Sequence, residues 1–237
     1  MDDFLRIPVW YKTLKKHTFP TNFLKLEPNE LNALAAGEED SPAAKAVIAK
    51  MQPLMHRPGN NFVLVDSCAP TDTERYYAKR GAVHSARSAW VFLARSAKVR
   101  AAVAGGMADT ICIRPFRRMS IPREFRLFFV DGELAAASQY FLIRHFRRLE
   151  GVKDKYWKLL AKFAGKIKDK LPDGSLAMDV YVTSDREILV LDLNVFGPPT
   201  SPLLLRSWNI DWKNIDEPKL KLMPPPVKIS GEVTVSF

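Results

Sequence analysis

The stretch Ala177-Met178-Asp179-Val180-Tyr181-Val182-Thr183-Ser184-Asp185-Arg186-Glu187-Ile188-Leu189-Val190-Leu191-Asp192-Leu193-Asn194 reads as two strands around a polar turn. Ala177 to Thr183 and Glu187 to Asn194 are the strands, and Ser184 to Arg186 turn the chain. A hairpin centred between Asp185 and Arg186 sets Asp179 opposite Asp192. Alternate residues on a strand share a face, so Asn194 joins Asp192. Two carboxylates and an amide oxygen then converge among Met178, Val180, Leu191 and Leu193. Like charges directly opposite one another are destabilising unless a cation lies between them. So few ligands, all hard oxygens, suit Mg²⁺ completed by phosphates and water. The competing reading is a pair of acids on a solvated sheet face.

A metal–phosphate site also needs fixed cations. Working back from the hairpin, the strand Glu124-Phe125-Arg126 and the run Arg114-Pro115-Phe116-Arg117 supply them. Arginine holds phosphate oxygens through a planar fork and stays charged when partly buried. Period-two alternation puts Glu124 and Arg126 on one face. The chain has no GxxxxGK[ST], GxGxxG or GxSxG, which excludes a P-loop or Rossmann nucleotide site.

Around these strands the period alternates between helix and sheet. Asn29 to Ala36 suits a short helix. Ser41-Pro42 is a helix start, an N-cap followed by proline in the first turn, with the helix running to about Leu54. Pro58-Gly59-Asn60 is a turn and Phe62 to Val65 a short strand. His84 to Ala104 reads as one long helix closed by Gly105-Gly106. Thr110 to Phe116 is a strand. Phe125 to Val130 and Glu133 to Gln139 flank Asp131-Gly132, a strong hairpin signal. Val227 to Phe237 alternates like a late strand. Helices mixed with antiparallel hairpins indicate an α+β fold.

The chain has 237 residues, with 47% hydrophobic and 11% aromatic side chains, enough for a sizeable core. Its net charge is +10, from 36 Lys and Arg against 26 Asp and Glu. Two segments hold the excess. Residues 112–126 carry five arginines against Glu124, and residues 144–170 carry ten Lys or Arg against three acids. In the second, Phe146, Leu149, Val152, Tyr156, Leu159, Phe163 and Ile167 mark one apolar helix face, with Lys155, Lys158, Lys162 and Lys166 mostly off it. That basic face is either solvated or a contact for an acidic partner or nucleic acid. Few aromatics interleave the lysines, so base stacking has little support. Cys68 and Cys112 make no disulfide framework and no zinc spacing, and read as reduced, packed thiols. No apolar run spans a bilayer, and Met1-Asp2-Asp3-Phe4 is not a signal start. A cytoplasmic protein is the expectation.

Taken in order, these elements resemble the cell division cycle protein 123 family, a divergent branch of the ATP-grasp superfamily. The resemblance rests on Arg114-Pro115-Phe116, Glu124-Phe125-Arg126, Ser138-Gln139, Asp179-Val180-Tyr181 and Asp192-Leu193-Asn194-Val195-Phe196-Gly197, followed by Thr200 and Leu203-Leu204. Pro8-Val9-Trp10-Tyr11, Lys15-Lys16-His17-Thr18 and Cys68-Ala69-Pro70-Thr71-Asp72 extend it over roughly residues 8–210. It implies an ATP-grasp fold of two α+β subdomains, residues 1–110 and 111–237, with ATP held between them. It implies Mg²⁺ on Asp179, Asp192 and Asn194, phosphate contacts from Arg114 and Arg126, and Arg126 in the catalytic role. The backbone at Pro115, Phe116 and Arg117 would form the adenine-side linker, with Ala69 also at the nucleotide. The family's phosphate-binding lysine is replaced by Leu64. Lys79, Arg80 or another cation substitutes for it, or nucleotide binding is weakened.

The implied function is ATP- and Mg²⁺-dependent action on a protein client. In eukaryotes the family assembles translation initiation factor two through its gamma subunit. ATP-grasp proteins at large are carboxylate–amine or carboxylate–thiol ligases, which stabilise phosphoryl transfer electrostatically. The alternative is a basic RNA- or DNA-binding module built on residues 144–170, with no ATP-dependent activity and strongly salt-dependent binding.

Overall fold

Ile7–Leu14 forms the first helix, α1, in the computed structural model, which describes residues 3–217 and 219–226. The late strand expected at Val227 to Phe237 lies outside the described residues. Pro8 sits in the first turn of α1, where its missing N–H costs no intrahelical bond. The helix buries Ile7, Trp10 and Leu14. Strand β1 (Asn22–Lys25) follows. Helix α2 (Pro28–Ala36) opens on a capping box between Glu27 and Glu30 and closes on left-handed Gly37. Ser41 caps α3 (Pro42–Met51) as expected, its Oγ accepting from the Ala44 N–H at 3.2 Å.

After β2 (Asn61–Val65) and α4 (Glu74–Lys79) the structure departs from the single helix expected over His84 to Ala104. Two helices stand there, α5 (Ala86–Ala94) and α6 (Ala97–Ala104). The break falls at buried Ser96. Its Oγ accepts from the Val99 N–H at 3.1 Å and donates to Asp72, whose other oxygen accepts from the Lys98 N–H at 3.0 Å. A serine hydroxyl inside a periodic run competes with the helix ladder, and here it starts a new helix instead.

Strand β3 (Thr110–Pro115) lies between β1 and β2 in an antiparallel sheet of order β1-β3-β2. Its alternation serves two cores. Ile111 and Ile113, with Val63 and Val65, pack with Trp90 among α2, α3, α5 and α6. Cys112 and Leu64 face the other way, into the second core.

The second sheet is built from hairpins. β4 (Glu124–Val130) and β5 (Glu133–Gln139) are joined by Asp131-Gly132 at φ 49° and 79°, the left-handed pair a two-residue hairpin turn needs. The basic segment is not one helix: α7 (Arg147–Glu150) and α8 (Lys153–Ile167) are separated at Gly151. Then come β6 (Leu176–Val182), β7 (Ile188–Val195) and a two-residue β8 (Leu220–Lys221). The sheet order is β7-β6-β4-β5-β8, antiparallel except for β5 with β8.

One face of this sheet, with Phe125, Leu127, Phe129, Met178 and Val180, is covered by α1 and by Leu160, Phe163, Ala164 and Ile167 of α8. Apart from Ala164, burying each of these side chains stabilises the fold by about 1.5–3 kcal/mol. Lys155, Lys158, Lys162 and Lys166 are exposed on the outer side of α8. The opposite sheet face carries Arg126 and Asp179, and Phe128 and Ala177 pack there under Leu205, Trp208 and Trp212. No helix among the described residues is long and apolar enough to cross a membrane.

Candidate functional site

Asp179 faces Asp192 across β6 and β7, and Ala177 faces Asn194, the pairing that a hairpin centred between Asp185 and Arg186 requires. Nearer the turn the register slips by one. Val180 pairs with Val190 and Tyr181 with Leu189, so Leu191 is the extra residue of a β-bulge. The bulge has a use. The Leu191 carbonyl accepts from Arg114 Nη1 at 3.0 Å, which ties the large sheet to β3 of the small one.

Between the two sheets lies a cleft of about 180 Å³. Phe62, Leu64, Phe116, Ile121 and Phe125 give it apolar walls, and Arg114, Glu124, Asp179 and Asp192 supply charge. Ala69, Pro115 and Arg117 also line it. Of the residues singled out from sequence, Arg126 and Asn194 do not line the cleft. Both are joined to it through Asp179. Arg126 grips Asp179 with Nε and Nη2 at 2.7 and 2.8 Å and gives Nη1 to the Ser201 carbonyl at 2.8 Å. Asn194 Nδ2 donates to the same carboxylate at 3.2 Å. Arg126 also lies over the Tyr140 ring at 5.3 Å.

The two aspartates therefore differ. Asp179 is buried and held by three donors. Asp192 accepts from its neighbour's backbone, the Leu193 N–H, at 3.0 Å. Burial first, and the nearby Asp179 carboxylate second, push its carboxyl up to about 7. Arg114 is its nearby cation, and burial lowers that guanidinium from its usual range. Arg114 is 5% exposed, bonded to Thr21 Oγ1 and the Leu191 carbonyl, and set 5.8 Å from the Trp10 ring. Its Nη2 is buried with no partner. A guanidinium held this firmly, with one donor left over beside a carboxyl short of cations, fits an anion and a metal ion together.

One lining residue was assigned no role from sequence, Glu124. Burial, aided by Asp179, pushes the Glu124 carboxyl up to about 8, against the opposing pull of Arg80. Arg80 ends α4 in a left-handed conformation and lines the cleft with Leu64, whereas Lys79 does not line it. Of the two cations named as substitutes for the lysine missing at Leu64, Arg80 is the one brought to the site.

Glu124 has a folded-state pKa raised above its ordinary 4.5, so the folded protein holds its proton more tightly than the unfolded chain. Its contribution is fully present below pH 4.5 and is lost as pH rises through about 8. Glu124→Gln should abolish that loss. In urea titrations across this range, the wild type should weaken relative to the variant by about 4 kcal/mol. Parallel profiles would show that folding leaves the Glu124 pKa unshifted.

The model of the family described as D123 matches residues 94–231, more than half of the chain. The chain belongs to the D123 family, that of cell division cycle protein 123. A D123 relative, the translation initiation factor eIF2 assembly protein of Dictyostelium discoideum, is 30% identical over 95 residues, 40% of this chain and 25% of that protein. Cell division cycle protein 123 of Candida glabrata is 33% identical over 88 residues, 36% of this chain and 24% of that protein. The matches thus span about a quarter of the length of these two D123 relatives. The fold follows the family along nearly its whole length. Cdc123 from Schizosaccharomyces pombe superposes with a TM-score of 0.75 at 22% identity, covering 93% of this chain and 96% of that one. The α+β fold expected for a D123 protein is the fold observed, and it is the fold of Cdc123.

Proposed function

We propose that this protein binds ATP with Mg²⁺ in the cleft between its sheets and acts on a protein client as an assembly factor. The observation that carries the nucleotide half is Arg114, buried on the cleft lining with Nη2 unpartnered, beside Asp192. Arg114 would hold phosphate. Asp179, Asp192 and the Asn194 amide oxygen would hold Mg²⁺, which supplies neutralisation of phosphate charge. Arg126 would act mainly by fixing Asp179, and in the catalytic role its Nη1 would exchange the Ser201 carbonyl for a phosphate oxygen. Ala69 and the backbone of Pro115, Phe116 and Arg117 would meet the nucleoside against the apolar walls. The division into residues 1–110 and 111–237 belongs to this reading, with Arg114 of β3 reaching across it to Thr21.

The client half is supported by the relative named for assembly of eIF2. If the source is eukaryotic, the gamma subunit of that factor is the client, and the cytoplasm is where they would meet. A ligase on the same scaffold differs in one respect: it consumes ATP when given a carboxylate and an amine.

Thermal unfolding with ATP, with and without Mg²⁺, tests the reading. Mg·ATP at a hundredfold excess over its Kd should stabilise the protein by about 2.7 kcal/mol. No shift at any concentration would remove nucleotide binding. In the same samples, stoichiometric client binding without ADP release supports the assembly role, and ADP release that requires both carboxylate and amine supports the ligase.

A further inference from the structure

A second concavity, of about 560 Å³, adjoins the cleft but shares none of its lining residues. It is formed by Ser120, Pro122 and Arg123 before β4, by Arg144 to Leu149 around α7, and by Val152 and Tyr156 at the start of α8. Arg123, Arg144, Arg147 and Arg148 line it with His145, and no Asp or Glu does. Among the described residues none of these four arginines makes an ion pair, whereas Arg6, Arg87, Arg95 and Arg126 all do. Glu150 approaches the concavity only at His145 Nε2, 3.6 Å away, and His145 Nδ1 meets the Met223 carbonyl at 2.9 Å. Four uncompensated guanidinium groups around one groove repel one another and create a strong local field for an anion.

The chemistry of the rim selects the kind of anion. A water occupies about 30 Å³, so the groove has room for several side chains rather than one ion. Exposed large hydrophobics are few among the described residues, and two of the four, Leu142 and Ile143, stand directly before Arg144. Arginine beside exposed aliphatic side chains is the composition of a protein-binding surface. The aromatics are already used: Phe146 lies under Arg144 at 5.0 Å, and Tyr156 packs on Phe125 at 5.3 Å. No free ring is left for a base to stack on, which disfavours RNA. The chain's own acidic loop is also occupied, with Glu39 on Arg95 and Asp40 on Arg87.

We infer that this arginine-lined groove docks an acidic segment of a partner polypeptide, with Leu142 and Ile143 receiving an apolar side chain of the same segment. The class of partner rests on the client reading, but nucleotide binding is not required. The test uses the full chain and labelled peptides read by fluorescence anisotropy. One probe is a short oligo-glutamate, and the second carries two leucines at its centre. Both should bind, more weakly as salt rises, with the leucine peptide tighter.

Arg147→Gln with Arg148→Gln should weaken both by about tenfold or more. Lys158→Gln with Lys162→Gln on the outer side of α8 should change either by less than about twofold. Ile143→Ser should erase the advantage of the leucine peptide. The inference is overturned if neither peptide binds at low salt, if the lysine pair matters as much as the arginine pair, or if single-stranded RNA of equal charge binds more tightly. Mg·ATP stabilisation measured on the arginine variant separates the two sites. A normal response leaves the nucleotide reading standing whatever the peptides do.

Discussion

Arg126→Ala should destabilise the protein by about 3–5 kcal/mol, the largest single effect expected outside the hydrophobic core. The loss comes from what is left behind. Asp179 is buried, and without Arg126 it keeps only the 3.2 Å bond from Asn194. A carboxylate removed from water with its cation deleted either stays charged at high cost or takes up a proton. Replacing both partners by apolar residues, as Arg126→Met with Asp179→Leu, should recover most of the loss, because neither charge then needs solvation. Arg126→Lys should fall between them, keeping the charge and losing the two-pronged grip on Asp179. Urea denaturation of the three variants reads this directly. A loss below about 1 kcal/mol for Arg126→Ala would mean that water reaches Asp179. The pair also limits what Asp179 offers a metal, since Arg126 and Asn194 already take three of its roughly four acceptor positions. Asp192 is the carboxyl with capacity to spare.

The site's centre was legible because the strand period is two. Once Ala177 to Asn194 is read as a hairpin, Asp179 and Asp192 must face each other, and they do. The bulge at Leu191 was not legible. Its residue is an ordinary strand leucine, and its carbonyl's partner, Arg114, lies 77 positions away. Thr21 and Trp10, which also hold Arg114, are equally remote in sequence. The split at Ser96 carried a local signal, a serine that can cap, but the apolar period continues through it, and only the meeting with Asp72 decides for a break. Strand β1 has four residues and no flanking turn signature, and exists because β3 offers it an edge. The choice of Arg80 over Lys79 depends on which side chain the left-handed end of α4 turns toward the cleft, and adjacent basic residues do not reveal that.

Asp192→Ala should leave the fold intact and weaken Mg²⁺-dependent nucleotide binding. Asp192 is half-buried beside Asp179 with its carboxyl pushed up to about 7, so desolvation and like charge both oppose its ionisation in the free protein. A divalent cation reverses that balance by binding the ionised form and expelling the proton. Affinity for Mg·ATP should therefore rise as pH passes upward through about 7, with proton release on binding. Without Asp192 the cation retains only Asp179, already committed to Arg126, and the Asn194 amide.

Calorimetric titration of ATP with Mg²⁺ into the wild type and into Asp192→Ala tests the central claim most directly. The wild type should bind with Mg²⁺-dependent affinity, and the variant should lose roughly 10–100-fold. No binding by the wild type would contradict the nucleotide site, and equal binding by the two proteins would contradict the metal assignment.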